Sequence, residues 1–111
     1  MVLSELSLNV VPEKRTEVFQ TLVSLATMIR KEHGCRRCEL FLEGENQSGF
    51  EFVEEWQSRE AFEEHVRSNV FGILLGLAPL LRQPPAMRIY TVASAEGMEA
   101  VRRARRRAAE N

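Results

Sequence analysis

The sequence predicts an α+β domain in which four strands and two helical segments follow in the order strand, helix, strand, strand, helix, strand. Three observations carry this. Apolar residues recur at every second position in four short stretches, they recur every three or four positions between the first two of these, and glycine or proline punctuates the transitions.

Leu6, Leu8 and Val10 alternate with Ser7, Asn9 and Val11, which predicts a first strand. Pro12 ends it, having no amide proton for the ladder. A helix is expected from about Glu13 to Glu32, with Val18, Leu22, Leu25 and Ile29 on one face beside Phe19 and Ala26. His33-Gly34 closes it, glycine taking the left-handed cap position. Cys35 to Glu43 alternates again, with Cys38, Leu40 and Leu42 on one side and Glu39, Phe41 and Glu43 on the other. Gly44 to Gly49 is polar and bounded by glycine, as a hairpin loop should be. In the third strand, Phe50 to Gln57, one face holds Phe50, Phe52, Glu54 and Trp56 and the other Glu51, Val53 and Glu55. Ser58 is a helix N-cap with Glu60 at the favourable end of the dipole, and one stripe of that helix carries Phe62, His65, Val66 and Asn69. A second, apolar helix is expected from about Val70 to Leu77. Pro79 opens a new turn, Pro84-Pro85 returns the chain to an extended form, and Met87 to Val92 is the fourth strand.

This is the split βαβ, ferredoxin-like order, whose right-handed crossovers place the helices on one face of a four-stranded antiparallel sheet. The opposite face mixes Asn9, Val11, Phe41, Val53, Tyr90 and Val92 with Glu39, Glu43 and Arg88. So much apolar area predicts a homodimer through the open sheet face. A chain of 111 residues has room for one core. The expected division is a domain over residues 1–93 and a tail over 94–111, helical or disordered, that holds Arg102, Arg103, Arg105, Arg106 and Arg107. A net charge of −1 offers no field for a polyanion, so nucleic acid is not an expected partner. A solvated or docked helix is expected for the tail, with an anionic partner as the sharper alternative. No apolar run approaches the roughly 18 residues of a membrane span. Met1 to Val11 has no basic residue ahead of its apolar positions, so no signal peptide is expected either, and the chain is expected in the cytoplasm. Cys35 and Cys38, three apart on a strand, should point to opposite faces roughly 10 Å apart, beyond the ~7 Å reach of a disulfide. Free thiols are therefore expected, and without a second cysteine pair no metal is.

The run Val53-Glu54-Glu55-Trp56-Gln57-Ser58-Arg59-Glu60-Ala61-Phe62-Glu63-Glu64-His65 resembles the central signature of the antibiotic biosynthesis monooxygenase (ABM) superfamily. So do Pro12-Glu13-Lys14-Arg15, Glu32-His33-Gly34-Cys35 and Leu77-Ala78-Pro79-Leu80-Leu81; the resemblance spans about Leu6 to Val92. It implies a dimeric α+β barrel with a pocket in each subunit between helices and sheet. Members include quinol and anthrone oxygenases, haem-degrading enzymes and an isomerase. Trp56 matches the tryptophan that lines the pocket of the family's cofactor-free oxygenases. Phe52 shares its face, which suits a flat aromatic substrate. His65 is the expected general base, its ordinary pKa of about 6.5 suiting deprotonation of a phenol. Glu54 is its expected partner if strand alternation holds. Phe62 is a further expected substrate contact, with Asn69 and Phe71 at the pocket mouth. The alternatives are a plain core tryptophan, a satisfied core histidine and an outward Glu54.

The activity implied by the resemblance is oxidation of a small quinol or polyphenol by dioxygen, with no cofactor. The pocket would supply deprotonation, orientation and exclusion of water. The scattered glycines form no dinucleotide fingerprint. Phe52 and Phe62 stand where the family's anthrone oxygenases place polar Asn and Tyr, and Leu75 where its haem-degrading members place an axial histidine. Both activities are thereby disfavoured. Two other functions stay open: a non-catalytic module holding a small ligand, and an isomerase using Glu54 and His65 as acid and base.

Overall fold

The computed structural model of the chain describes residues 1–45 and 48–110. Strand β1 (Val2–Asn9) passes through a 3₁₀ turn, Pro12–Lys14, into helix α1 (Arg15–Ile29). Strands β2 (Cys35–Leu42) and β3 (Gly49–Trp56) form a hairpin, followed by helices α2 (Arg59–Val66) and α3 (Asn69–Leu75). A second 3₁₀ turn, Ala78–Leu80, precedes strand β4 (Ala86–Thr91), and helix α4 (Met98–Glu110) comes last. The sheet order is β2-β3-β1-β4 with every neighbour antiparallel. This is the ferredoxin-like arrangement the sequence predicts. Within one chain the sheet is open, not closed into a barrel.

Alternation decides the two faces. Val2, Ser4, Leu6 and Leu8 of β1 stand opposite Trp56, Glu54, Phe52 and Phe50 of β3, and all eight are buried beneath the helices. Helix α1 lays Val18, Leu22, Leu25, Ala26 and Ile29 on this row, and these residues join one core with Phe62, Phe71 and Leu74 of α2 and α3. Each Leu, Ile or Phe buried this way contributes about 1.5–3 kcal/mol. The predicted core is found, but β1 begins at Val2, ahead of the alternation at Leu6, because Ser4 interrupts the apolar row with a polar side chain.

Three further differences have physical causes. Helix α1 stops at Ile29, short of the expected Glu32, and the chain tightens into turns in which Lys31 N–H bonds Met28 O and Glu32 N–H bonds Ile29 O. Gly34 follows with φ 79°, as its cap role requires. A Cβ there would lie 2.5 Å from Ala61 Cβ, so close packing on α2 demands glycine as well. Second, a β-bulge between Cys35 and Arg37 shifts the register, setting Cys35 opposite Trp56 and Cys38 opposite Glu54. Both thiols therefore face inward, two rungs apart, and the expected opposite-face placement is corrected; both are free. Third, Asn69 does not continue the α2 stripe. Ser68 Oγ accepts from Phe71 N–H at 3.2 Å, just as Ser58 Oγ accepts from Ala61 N–H at 3.1 Å, and this second cap starts a new helix with Asn69 exposed. The tail, expected to be helical or disordered, is a helix from Met98 to Glu110 with no buried residue. The predicted loop from Gly44 to Gly49 includes positions 46 and 47, which lie outside the described residues.

Candidate functional site

Strand β3 and helix α2 meet at a buried polar cluster. The inner row of β3 points Glu54 and Trp56 at the helices, and His65, one turn after Phe62 on the buried side of α2, comes down on them. The His65 and Trp56 rings stack at 4.6 Å between centroids, 24° from parallel. The indole N–H of Trp56 donates to Glu54 Oε1 at 3.0 Å, and Ser4 Oγ lies 3.5 Å from the same oxygen. His65 Nε2 is 3.2 Å from Glu54 Oε1, a contact too bent for a full hydrogen bond. Nδ1 lies 3.1 and 3.0 Å from the two oxygens of Glu32, which the early end of α1 places in the turn. The imidazole is wholly enclosed, whereas Glu32 keeps 22% of its side chain in solvent.

Burial pushes the pKa of His65 down. The hydrogen-bonding and charge of Glu54, and then of Glu32, outweigh that and leave it raised from 6.5. The two carboxylates thus favour the protonated ring over the neutral one. Cys35 and Cys38 lie on the same inner face. Burial, then the charge of Glu54, pushes their thiols up to about 11 and about 12.

A cavity of about 320 Å³ opens beside this cluster, lined by Arg59, Phe62, Glu63, Val66, Arg67, Phe71, Met87 and Ile89. It exists because β4, at the sheet edge, turns Met87 and Ile89 to the inner side, while α2 and α3 cover that side incompletely: Ile89 is 43% exposed. Phe71 joins cavity and cluster, for it lines the one and stands edge-on to His65 at 5.4 Å. Another hollow of about 340 Å³, among Glu5, Ser7, Glu51, Ala86 and Arg88 on the outer face, lacks an aromatic wall.

The structure thus brings His65, Glu54 and Trp56 together in the core and puts Phe62 and Phe71 on the cavity wall. Phe52 and Trp56 are wholly buried and off that wall, and Asn69 is exposed and apart from it. Glu32, Arg59, Glu63, Arg67, Met87 and Ile89 are site residues not expected from the sequence. The spacing of Arg59, Glu63, Val66 and Arg67 along α2 is the one signal that could have gathered part of this wall. Among the described residues no group of three or more His, Cys, Asp or Glu is placed to hold a metal, and no helix is long and apolar enough to cross a membrane.

No curated protein matches the sequence. A solved Deinococcus radiodurans structure, provisionally assigned as an antibiotic biosynthesis monooxygenase, superposes with a TM-score of 0.81 at 23% identity, covering 87% of this chain and 97% of its own. A second, an antibiotic biosynthesis monooxygenase, gives 0.78 at 24% identity over 85% of this chain and 100% of its own. A conserved protein from Methanosarcina mazei Go1 gives 0.75 at 28% identity over 80% and 89%. These structures share the fold. The family model described as antibiotic biosynthesis monooxygenase matches residues 1–72, from β1 into α3. That span holds Glu32, Glu54, Trp56, His65 and Phe71, and on this match the chain belongs to the antibiotic biosynthesis monooxygenase family.

Proposed function

We propose that the chain is a cofactor-independent monooxygenase of a small electron-rich aromatic, a quinol or polyphenol, bound in the cavity between α2, α3 and β4. The observation that carries this is a titratable imidazole, held by two carboxylates, directly behind the Phe71 wall of an aromatic-lined cavity. Phe62 and Phe71 bind the ring face. Trp56 and Glu54 position His65, which takes the phenolic proton once Phe71 turns aside. An imidazole can do this only when neutral, so the rate rises as pH climbs through its raised pKa. The chemistry needs no external reductant. A hydroquinone and dioxygen give a hydroxyquinone and water, with all four electrons drawn from the substrate. Family membership supports an oxygenase, and exposed Phe41 and Tyr90 on the outer sheet face support a dimer.

The test is oxygen uptake with a panel of hydroquinones between pH 6 and 9, on the wild type and His65→Gln, with a thermal melt of each. Uptake that rises with pH and vanishes in a folded His65→Gln variant is expected. A folded variant at full rate rules out His65 as the base. A second function, a non-catalytic ligand-binding module, is favoured by the enclosure of His65, whose Nδ1 is already engaged by Glu32. No uptake at any pH, with a small molecule retained through native mass spectrometry, would establish that function instead.

A further inference from the structure

The cavity has a charged rim that oxidation of a neutral quinol leaves unexplained. Arg59 and Arg67 stand at the two ends of α2 and both line it, with Glu63 four residues from each. That spacing permits ion pairs between Glu63 and either arginine. Neither forms: among the described residues no carboxylate pairs with the Arg59 or Arg67 guanidinium, although such pairs form elsewhere, as at Arg37–Glu55 and Arg103–Glu96. The Arg59 guanidinium lies instead over the Phe62 ring, its carbon 5.6 Å from the centroid. A cation held over an aromatic wall is directed at whatever stacks beside that wall.

We infer that this cavity selects a singly anionic aromatic, an arene bearing a carboxylate or sulfonate, with the ring against Phe62, Phe71, Met87 and Ile89 and the anion on Arg59, aided by Arg67. Two guanidinium groups against one carboxylate leave the rim at net positive charge. Arginine suits this because its planar fork meets a carboxylate through two parallel hydrogen bonds. The volume, near the lower end of the roughly 300–1,000 Å³ range of small-molecule pockets, fits an aromatic of two or three rings. The inference rests on the cavity being the ligand site proposed above, and not on catalysis there.

Two fluorescent probes of nearly identical shape separate the terms: 1-anilinonaphthalene-8-sulfonate carries the anion, and N-phenyl-1-naphthylamine lacks it. With the wild-type protein at low salt, the sulfonate is expected to bind one per chain, at least about tenfold more tightly than the amine, the effect of one charge-assisted pair. In Arg59→Gln/Arg67→Gln the two affinities should converge through loss of sulfonate binding alone. Ile89→Trp, which fills the cavity, should abolish both. Salt at 0.5 M should narrow the wild-type gap. Equal wild-type affinities, or a gap that survives the double substitution, overturn the anion preference and leave the cavity standing as a site. Failure of both probes to bind, or binding unaffected by Ile89→Trp, overturns the cavity itself.

Discussion

His65→Leu is expected to destabilise the protein by roughly 3–5 kcal/mol, the usual cost of removing one partner from a buried ion pair. Without the imidazolium, Glu54, only 2% exposed, retains the Trp56 N–H at 3.0 Å and the more distant Ser4 hydroxyl. Two neutral hydrogen bonds, one of them long, do not offset a buried charge. Against a total stability on the order of 5–15 kcal/mol, the loss lowers Tm by about 10–20 °C. Adding Glu54→Gln removes the stranded charge while keeping an amide oxygen for the indole. His65→Leu/Glu54→Gln should therefore be more stable than His65→Leu by about 1.5 kcal/mol or more, a coupling that independent sites do not show. Urea denaturation followed through Trp56, the only tryptophan, measures all three proteins at one fixed concentration.

The same network sets a pH dependence of defined sign. The folded-state pKa of His65 is raised above its unfolded value near 6.5, so the folded protein binds the proton more tightly. The stability this supplies is fully present below about pH 6.5 and is lost as pH rises through the folded value. Wild type should lose stability from neutral to alkaline pH, and His65→Leu should lack that component. A His65→Leu variant within about 1 kcal/mol of wild type at pH 6, or a wild-type stability that rises with pH relative to the variant, would refute the buried imidazolium.

Thiol reactivity and assembly give two more expected outcomes. With their thiols pushed up to about 11 and about 12, Cys35 and Cys38 should react with iodoacetamide at pH 8 more than about a hundredfold more slowly in the native protein than free cysteine does; native rates within tenfold of the free thiol would contradict the burial described. The wild type should run in solution at twice its 12.7 kDa chain mass, and Phe41→Glu, which puts a charge on the outer face of β2, should shift it toward monomer by light scattering; a stably monomeric wild type would remove the dimer.

Legibility in the sequence followed the range of the interaction. The inner row of β3 is legible because period two runs unbroken from Phe50 to Trp56, and Phe62 with His65 because a three-residue step keeps a helical face. The inward turn of Cys35 is not legible because a bulge has no composition of its own at Arg36-Arg37. The cavity wall is not legible because alternation puts Ile89 on the inner face but cannot say that the helices leave it 43% exposed there. Glu32 was missed because it reaches His65 from a turn, where no periodicity operates.

Glu32 also decides how stability and activity relate. A lone Glu54 beside His65 would make a closed pair sealed from water, and a proton could neither arrive nor leave. Glu32 touches Nδ1 and reaches solvent, so the ring has an outlet through that carboxylate. That outlet lets the ring become neutral as pH rises. Neutralising it discharges the ion pairs that hold β3, α2 and the end of α1 together. If His65 is the base, stability and oxygen uptake must therefore change in opposite directions across one shared titration, with the same apparent pKa. A rate profile that tracks the stability profile, or titrates elsewhere, would leave His65 as a structural cation and move the catalytic proton to another group.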